Sequence, residues 1–229
     1  MSEVFTHLLL PGGEWLESII QAFTIAGLEP EQTDSRKYDF PCLALPLMCH
    51  IVRSKDVPKT IELTHSKAHC GITGEDIAQE TEHSWDWIIP LYQLVPDAPK
   101  STVYIGATTN LTRKIPHPTI HDIKGILVSS YPHLAHNYLE QHDIKKDVVV
   151  IERAGKIEAY SSFIPLNTAV VDISSTGKTA AINGIIKLDE IMKPQVVAMS
   201  SPYISMQDVQ RYNDLKEYLY QAAARSPQE

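Results

Sequence analysis

Apolar residues recur along the chain with two alternating periods, and the elements follow from that alternation. Residues 4–10 form a short apolar run that predicts a buried strand, closed by a turn at Pro11-Gly12-Gly13. From Glu14 to Ala26 the apolar positions Trp15, Ile19, Ala22, Phe23 and Ala26 return at helical spacing, and Gly27 ends the helix. The second half of residues 40–52 reads as another strand. In residues 54–68 Asp56 is a candidate cap, with Pro58 inside the first helical turn. Residues 69–73 read as a third short strand and 74–80 as a helix.

A second series begins with the strand in residues 97–108. Residues 109–122, rich in Thr, Pro and His, read as a loop; 125–130 and 147–152 read as strands, and 131–144 and 155–164 as helices. A strand over 168–173 follows, then an extended return over 187–204 and a closing helix over 205–225. Val209, Tyr212, Leu215, Leu219 and Ala222 share one side of that helix. Strands alternating with helices predict an α/β protein with parallel, doubly wound sheets. No internal repeat interrupts the pattern, and the Pro-rich stretch near 96–99 is the best boundary between two domains.

The bulk properties narrow the setting. The chain has 229 residues, enough for one large domain or two modest ones. Its net charge of −8 argues against a general nucleic-acid surface and leaves room only for a local basic pocket. Cys42, Cys49 and Cys70 form no CxxC pair, and the N-terminus carries an early acid and only a short apolar run. Both point to reduced thiols in a cytoplasmic protein without a secretory signal. No apolar run approaches the length of a membrane span.

One stretch carries the candidate chemistry: VVDISSTGKTAAINGI, residues 170–185. Gly177-Lys178-Thr179 has the look of an ATP-binding phosphate loop. That loop needs a glycine five residues before Gly177, however, and the chain has Asp172 there. What remains is an apolar strand, an acid at its end, a small hydroxylated loop and a helix start. Backbone N–H groups at such a start point towards a bound phosphate, and Ser174, Ser175, Thr176 and Thr179 could add hydroxyl donors. The same pattern also fits an ordinary strand, turn and capped helix with no ligand.

Several segments taken in order resemble ATP phosphoribosyltransferase, in its short form. They are DSRKYDF (34–40), VRSKDVPKTIE (52–62), GITGEDIAQE (71–80), YPHLAHNYLEQHDI (131–144), GKIE (155–158) and VVDISSTGKTAAINGIIKLDEI (170–191). The last is the most specific, and their order and spacing extend over nearly the whole chain. The resemblance implies two doubly wound domains of the periplasmic-binding-protein type II kind, with the active site in the interdomain cleft. Domain I would be 1–98 plus 188–229, and domain II 99–187. The reaction implied is attack of adenine N1 of ATP on C1′ of phosphoribosyl pyrophosphate, the first step of histidine biosynthesis, with Mg2+ carried by the substrate.

On that resemblance, Asp172 would sit near the ribose hydroxyls and Glu158 would be a second acid of the site. Ser174, Ser175, Thr176, Gly177, Lys178 and Thr179 would cradle the 5′-phosphate, and Arg36 and Arg53 would contact the nucleotide or pyrophosphate. No metal-ligand set of the protein's own is implied. The extra C-terminal domain that binds histidine in the long form is expected to be absent. A separate subunit resembling histidyl-tRNA synthetase and a homodimer or larger assembly are the expected partners, with no nucleic acid and no membrane.

Departures from the family pattern are equally specific. Where the family's first turn reads PKGRL, this chain has Gly12 and Glu14 in place of the lysine and arginine, a change of about three charge units, from +2 to −1. His69 stands where an acid is usual, Lys156 where a serine is usual and Lys178 where a threonine is frequent. Lys67, Lys156 and Lys178 are candidates for restoring positive charge. Two alternatives therefore stay open: a paralogue of the same fold that binds a ligand or partner without this activity, and a phosphoribosyltransferase with another acceptor.

The remaining constellations are weaker. His65 and His69 are four residues apart and His133 and His136 three apart, but neither pair has a third ligand in a recognised spacing. Cys70 beside His69 reads as a buried small residue rather than an activated thiol. Trp15, Trp85 and Trp87 read as packing or interface residues.

Overall fold

The computed structural model describes residues 6–31, 37–63, 68–81, 84–91, 101–164, 166–202 and 209–225. The chain divides into two units, Met1–Ala98 with Gln195–Glu229, and Pro99–Pro194.

The first unit is built on a six-stranded sheet. Its strands are β1 (Thr6–Pro11), β2 (Asp39–Cys42), β3 (Leu47–Val52), β4 (Ala68–Gly74), β5 (Trp87–Pro90) and, from the returning chain, β11 (Val196–Ser200). Their order is β2-β3-β1-β4-β11-β5. Strand β1 lies parallel to β3 and β4, whereas β2 runs antiparallel to β3, and β11 runs antiparallel to both β4 and β5. The parallel reading holds for the strands joined by helices. It fails where the chain turns directly back or returns from the other unit, because neither path needs a crossover helix.

Both faces of this sheet are covered. Leu8 and Leu10 of β1 pack with Ile19 and Phe23 of α1 (Glu14–Ile25) and with Tyr212, Leu215 and Leu219 of α8 (Val209–Arg225). Leu9, on the opposite face, packs with Val57 and Ile61 of α2 (Val57–Leu63) and Ala78 of α3 (Glu75–Glu80). Alternation along β1 thus feeds two cores, as a buried strand requires. Gly71 permits the close approach of α2, since a Cβ there would stand 2.5 Å from Val57 Cγ1. Asp56 ends a 3-10 turn (Ser54–Asp56) that leads into α2, where Pro58 is buried in the first turn. Val209 is exposed rather than on the apolar side of α8.

The second unit has a five-stranded sheet ordered β10-β6-β9-β7-β8. The strands are β6 (Thr102–Ala107), β7 (Gly125–Ser129), β8 (Val148–Glu152), β9 (Asn167–Ser174) and β10 (Ile186–Met192). Strand β7 is parallel to β8 and β9; β6 is antiparallel to β9 and β10. One face packs against α5 (Pro132–Gln141) through Leu134, Tyr138 and Leu139. The other carries Tyr104, Val128, Ile157, Val170, Ala180 and Ile185, beneath α6 (Tyr160–Phe163) and α7 (Lys178–Ile182).

Three expectations need correction here. Residues 109–122 are not all loop: Thr109–Thr112 form a helical turn, α4, and Ile120–Asp122 a 3-10 turn with a capping box from Thr119. Residues 155–164 are not one helix but a 3-10 turn (Ile157–Ala159) followed by α6. The second crossing between units falls at Pro194/Gln195 rather than at 187/188. The reason is that β10 pairs along β6 as far as Met192 before the chain leaves.

Candidate active site

The face of the second sheet beneath α7 gathers the polar groups singled out in the sequence. Along β9, residues 170, 172 and 174 point to one side by the period of a strand. Asp172 is buried, at 9% exposure, and accepts a 2.7 Å hydrogen bond from the hydroxyl of Ser130 at the end of β7. Across the antiparallel pair, Asp172 stands in register with Tyr104 of β6. Glu158, half-buried on the 3-10 turn before α6, lies on the same side; its charge and that of Asp172 both bear on the Tyr104 phenol. Burial first, then these two carboxylates, push that phenol well above its ordinary range, so it stays a protonated donor.

After Ser174 the chain turns through an exposed loop into α7. Gly177 takes the left-handed conformation, φ 69° and ψ −3°, at the head of the helix. The Gly177 N–H donates to Ser174 Oγ at 2.8 Å and the Lys178 N–H to Thr176 Oγ1 at 3.4 Å. Two loop hydroxyls therefore engage two loop amides. First-turn amides of a helix have no partner within it, so this end of the loop is rich in donors. Lys178 and Thr179 are exposed at the start of α7.

A pocket of about 340 Å³ opens here, walled by Thr102, Tyr104, residues 174–177, Ala180, Ile185 and Lys187. That volume matches a small-molecule site. Sequence reading missed four contributors to the site. Tyr104 and Thr102 belong to a segment that the sequence marks only as a strand, and its register with β9 brings them to the site. Lys187 lies in the extended return and supplies a cation on the pocket wall, 3.2 Å from Glu190 Oε2. Ser130, which holds Asp172, is likewise visible only once β7 and β9 pair.

The other predicted residues are placed as follows. Arg53 is exposed in the first unit, just before the 3-10 turn that opens α2. Arg36 and Lys67 lie outside the described residues, and Lys156 is exposed at the head of the 3-10 turn bearing Glu158. In the first turn Gly13 has φ 96° and ψ −148°, a region open in practice only to glycine, and Glu14 begins α1. Cys70 is fully buried and burial pushes its thiol far up, which makes it an inert core residue. Trp15 and Trp85 pack against the two cores of the first unit. Among the described residues no group of three His, Cys, Asp or Glu is placed to hold a metal ion, and His65 lies outside them. No described helix is long and apolar enough to cross a membrane.

The strand, acid, hydroxyl loop and helix thus assemble as one unit, and the sequence model of the ATP phosphoribosyltransferases matches residues 53–221. The chain belongs to the ATP phosphoribosyltransferase family. An ATP phosphoribosyltransferase of Halalkalibacterium halodurans is 28% identical over 173 residues, covering 75% of this chain and 73% of the relative. That of Geobacillus kaustophilus is 26% identical over 212 residues, covering 90% and 94%. The alignment with the Sulfolobus acidocaldarius enzyme, 25% identical over 191 residues, spans 83% of this chain but 63% of the relative's length.

Among solved structures, the ATP phosphoribosyl transferase (HisG:HisZ) complex from Thermotoga maritima aligns with a TM-score of 0.69 at 21% identity, over 96% of this chain and 99% of that one. The ancestral amino acid-binding protein AncCDT-1 aligns with a TM-score of 0.51 at 12% identity, over 98% and 92%. The fold is therefore that of ATP phosphoribosyltransferases and of periplasmic binding proteins of type II. The span matched by the family includes Arg53, Glu158, Asp172 and the 174–179 loop; Arg36 and the Gly12–Glu14 turn precede it.

Proposed function

We infer that this chain is a phosphoribosyltransferase joining adenine N1 of ATP to C1′ of phosphoribosyl pyrophosphate, the first step of histidine biosynthesis. The observation that carries the reading is the pocket walled by the hydroxyl loop that follows Asp172, in a chain of this family. The loop amides and hydroxyls at 174–179 receive the 5′-phosphate. Asp172, held by Ser130, and Glu158 accept hydrogen bonds from the sugar and stabilise positive charge developing at C1′ as pyrophosphate leaves. Lys187 adds positive charge beside the polyanion. Magnesium enters on the pyrophosphate as part of the substrate. Arg53 and Arg36 are assigned to nucleotide or pyrophosphate contacts. The protein's main work is to hold two substrates in line, because effective molarity from orientation supplies much of the acceleration.

A histidyl-tRNA-synthetase-like regulatory subunit is proposed as partner, in keeping with the two-component complex named for Thermotoga maritima. A homodimer or larger assembly in the cytoplasm completes the reading. The altered first turn favours one second reading: a paralogue that holds phosphoribosyl pyrophosphate without transferring it to ATP, or that uses another acceptor. Gly12 and Glu14 remove the cations the family carries there, and loss of one charge-assisted contact costs about 1.5–3 kcal/mol.

The deciding assay mixes the chain with ATP, phosphoribosyl pyrophosphate and Mg2+, alone and with such a subunit, and follows phosphoribosyl-ATP by chromatography. Product is expected in at least one mixture; none in either sinks the reading, and binding without turnover moves it to the second. Asp172→Asn is expected to lower kcat/KM by about a hundredfold or more while the far-ultraviolet dichroism is retained.

A further inference from the structure

The Tyr104 hydroxyl is buried without a hydrogen-bond partner among the described residues, and its residue is 3% exposed. Such a group normally has a partner, and leaving one unmade is costly enough that each case calls for a reason. Its surroundings supply one. The ring walls the pocket, Asp172 faces it across the strand pair, and Glu158 acts on it from the neighbouring turn. One donor thus shares a sheet face with the Asp172 carboxylate and lies within electrostatic reach of Glu158.

That set is complementary to a vicinal diol, each hydroxyl of which donates to a carboxylate and can still accept from a phenol. Asp172 already receives the Ser130 hydroxyl, so the phenol is the donor left over for a ligand. The hydroxyl is closed to solvent, and Glu158 is half-buried on a one-turn segment.

We propose that Tyr104 is a substrate-discriminating residue whose hydroxyl donates to one hydroxyl of the ribose diol held by Asp172 and Glu158. This rests on the phosphoribosyl reading of the pocket. It makes an uncommon pairing of consequences: removing the hydroxyl relieves an unpaired polar group in the free protein and removes a contact in the complex.

The test compares the full chain with Tyr104→Phe by calorimetric titration with phosphoribosyl pyrophosphate and Mg2+, with ribose 5-phosphate, and with its 2-deoxy and 3-deoxy analogues. Thermal melts of both proteins are recorded without ligand. The unsubstituted chain is expected to bind phosphoribosyl pyrophosphate and to prefer ribose 5-phosphate over both deoxy sugars. Tyr104→Phe is expected to bind phosphoribosyl pyrophosphate about tenfold more weakly, to lose its preference against one deoxy analogue, and to melt at or above the original temperature. Equal affinity in the two proteins overturns the proposal. So does a lower melting temperature with affinity for ribose and deoxyribose phosphates falling in parallel, which is the mark of a structural hydroxyl. If the unsubstituted chain binds phosphoribosyl pyrophosphate but ignores deoxygenation, the Tyr104 assignment alone fails. If it binds none of the sugars, the phosphoribosyl reading fails with it.

Discussion

Gly177 has open space where a Cβ would stand, yet its φ of 69° is one that branched side chains avoid. The cost of replacing it is therefore conformational rather than steric. Gly177→Val is expected to leave the chain folded, since the loop is exposed, while forcing the backbone away from the turn that aims its amides. The strain is about 1–3 kcal/mol, and affinity for phosphoribosyl pyrophosphate is expected to fall more than about tenfold. A dichroism spectrum with a titration checks both halves; unchanged affinity in a folded variant contradicts the loop assignment. At this scale the acid and the hydroxyl cluster were legible, because Asp172 through Thr179 are contiguous and their types name their chemistry. Tyr104, Ser130 and Lys187 were not. Each comes to the site from a different strand or strand end, and strand register is set by packing that no local window contains.

Elements were most legible where a period persisted. Helix α1 runs as its apolar spacing requires, with Ile19 and Phe23 fully buried. Strands β2 and β5 carry four residues each, too few for alternation to register. The extended return reads as one stretch but is two strands in different sheets, β10 and β11. Strand β10 is tied to α5 by a 2.5 Å hydrogen bond from the Tyr138 hydroxyl to Asp189 Oδ2. That bond, then the Glu190 N–H, holds the Asp189 carboxyl below its usual range. A depressed carboxylate contributes stability above its unfolded value, about pH 4, and loses that contribution as pH falls through the folded value. Tyr138→Phe is expected to cost about 1 kcal/mol near neutral pH, discounted for the partial exposure of Asp189. In urea melts the gap between variant and parent should close towards pH 3, and a gap that stays constant or widens in acid would assign the loss to packing instead.

For the whole molecule, the alternation of strands and helices was sufficient to predict layered α/β architecture, and the Pro-rich stretch near 96–99 stands beside the Ala98/Pro99 division. The antiparallel pairings of β11 with β4 and β5, and of β6 with β9 and β10, were invisible because they join segments distant in sequence, whereas the local β2–β3 pair escaped because β2 is too short for its alternation to register. Strand β11 lies between β4 and β5, and Tyr212, Leu215 and Leu219 of α8 complete the core over β1. During synthesis these pieces emerge last, after Pro99–Pro194 has already left the ribosome. The later-made half is thus the first able to finish, while the earlier half waits with the edge of β4 unpaired, a surface open to wrong pairings. A chain stopped after Pro194 is expected to yield a protease-resistant fragment spanning 99–194 and to lose 1–98 to digestion; equal survival of both would show that the leading half closes without its final strand. Chaperone demand on this protein accordingly falls on its first hundred or so residues and ends with the arrival of the last thirty-five.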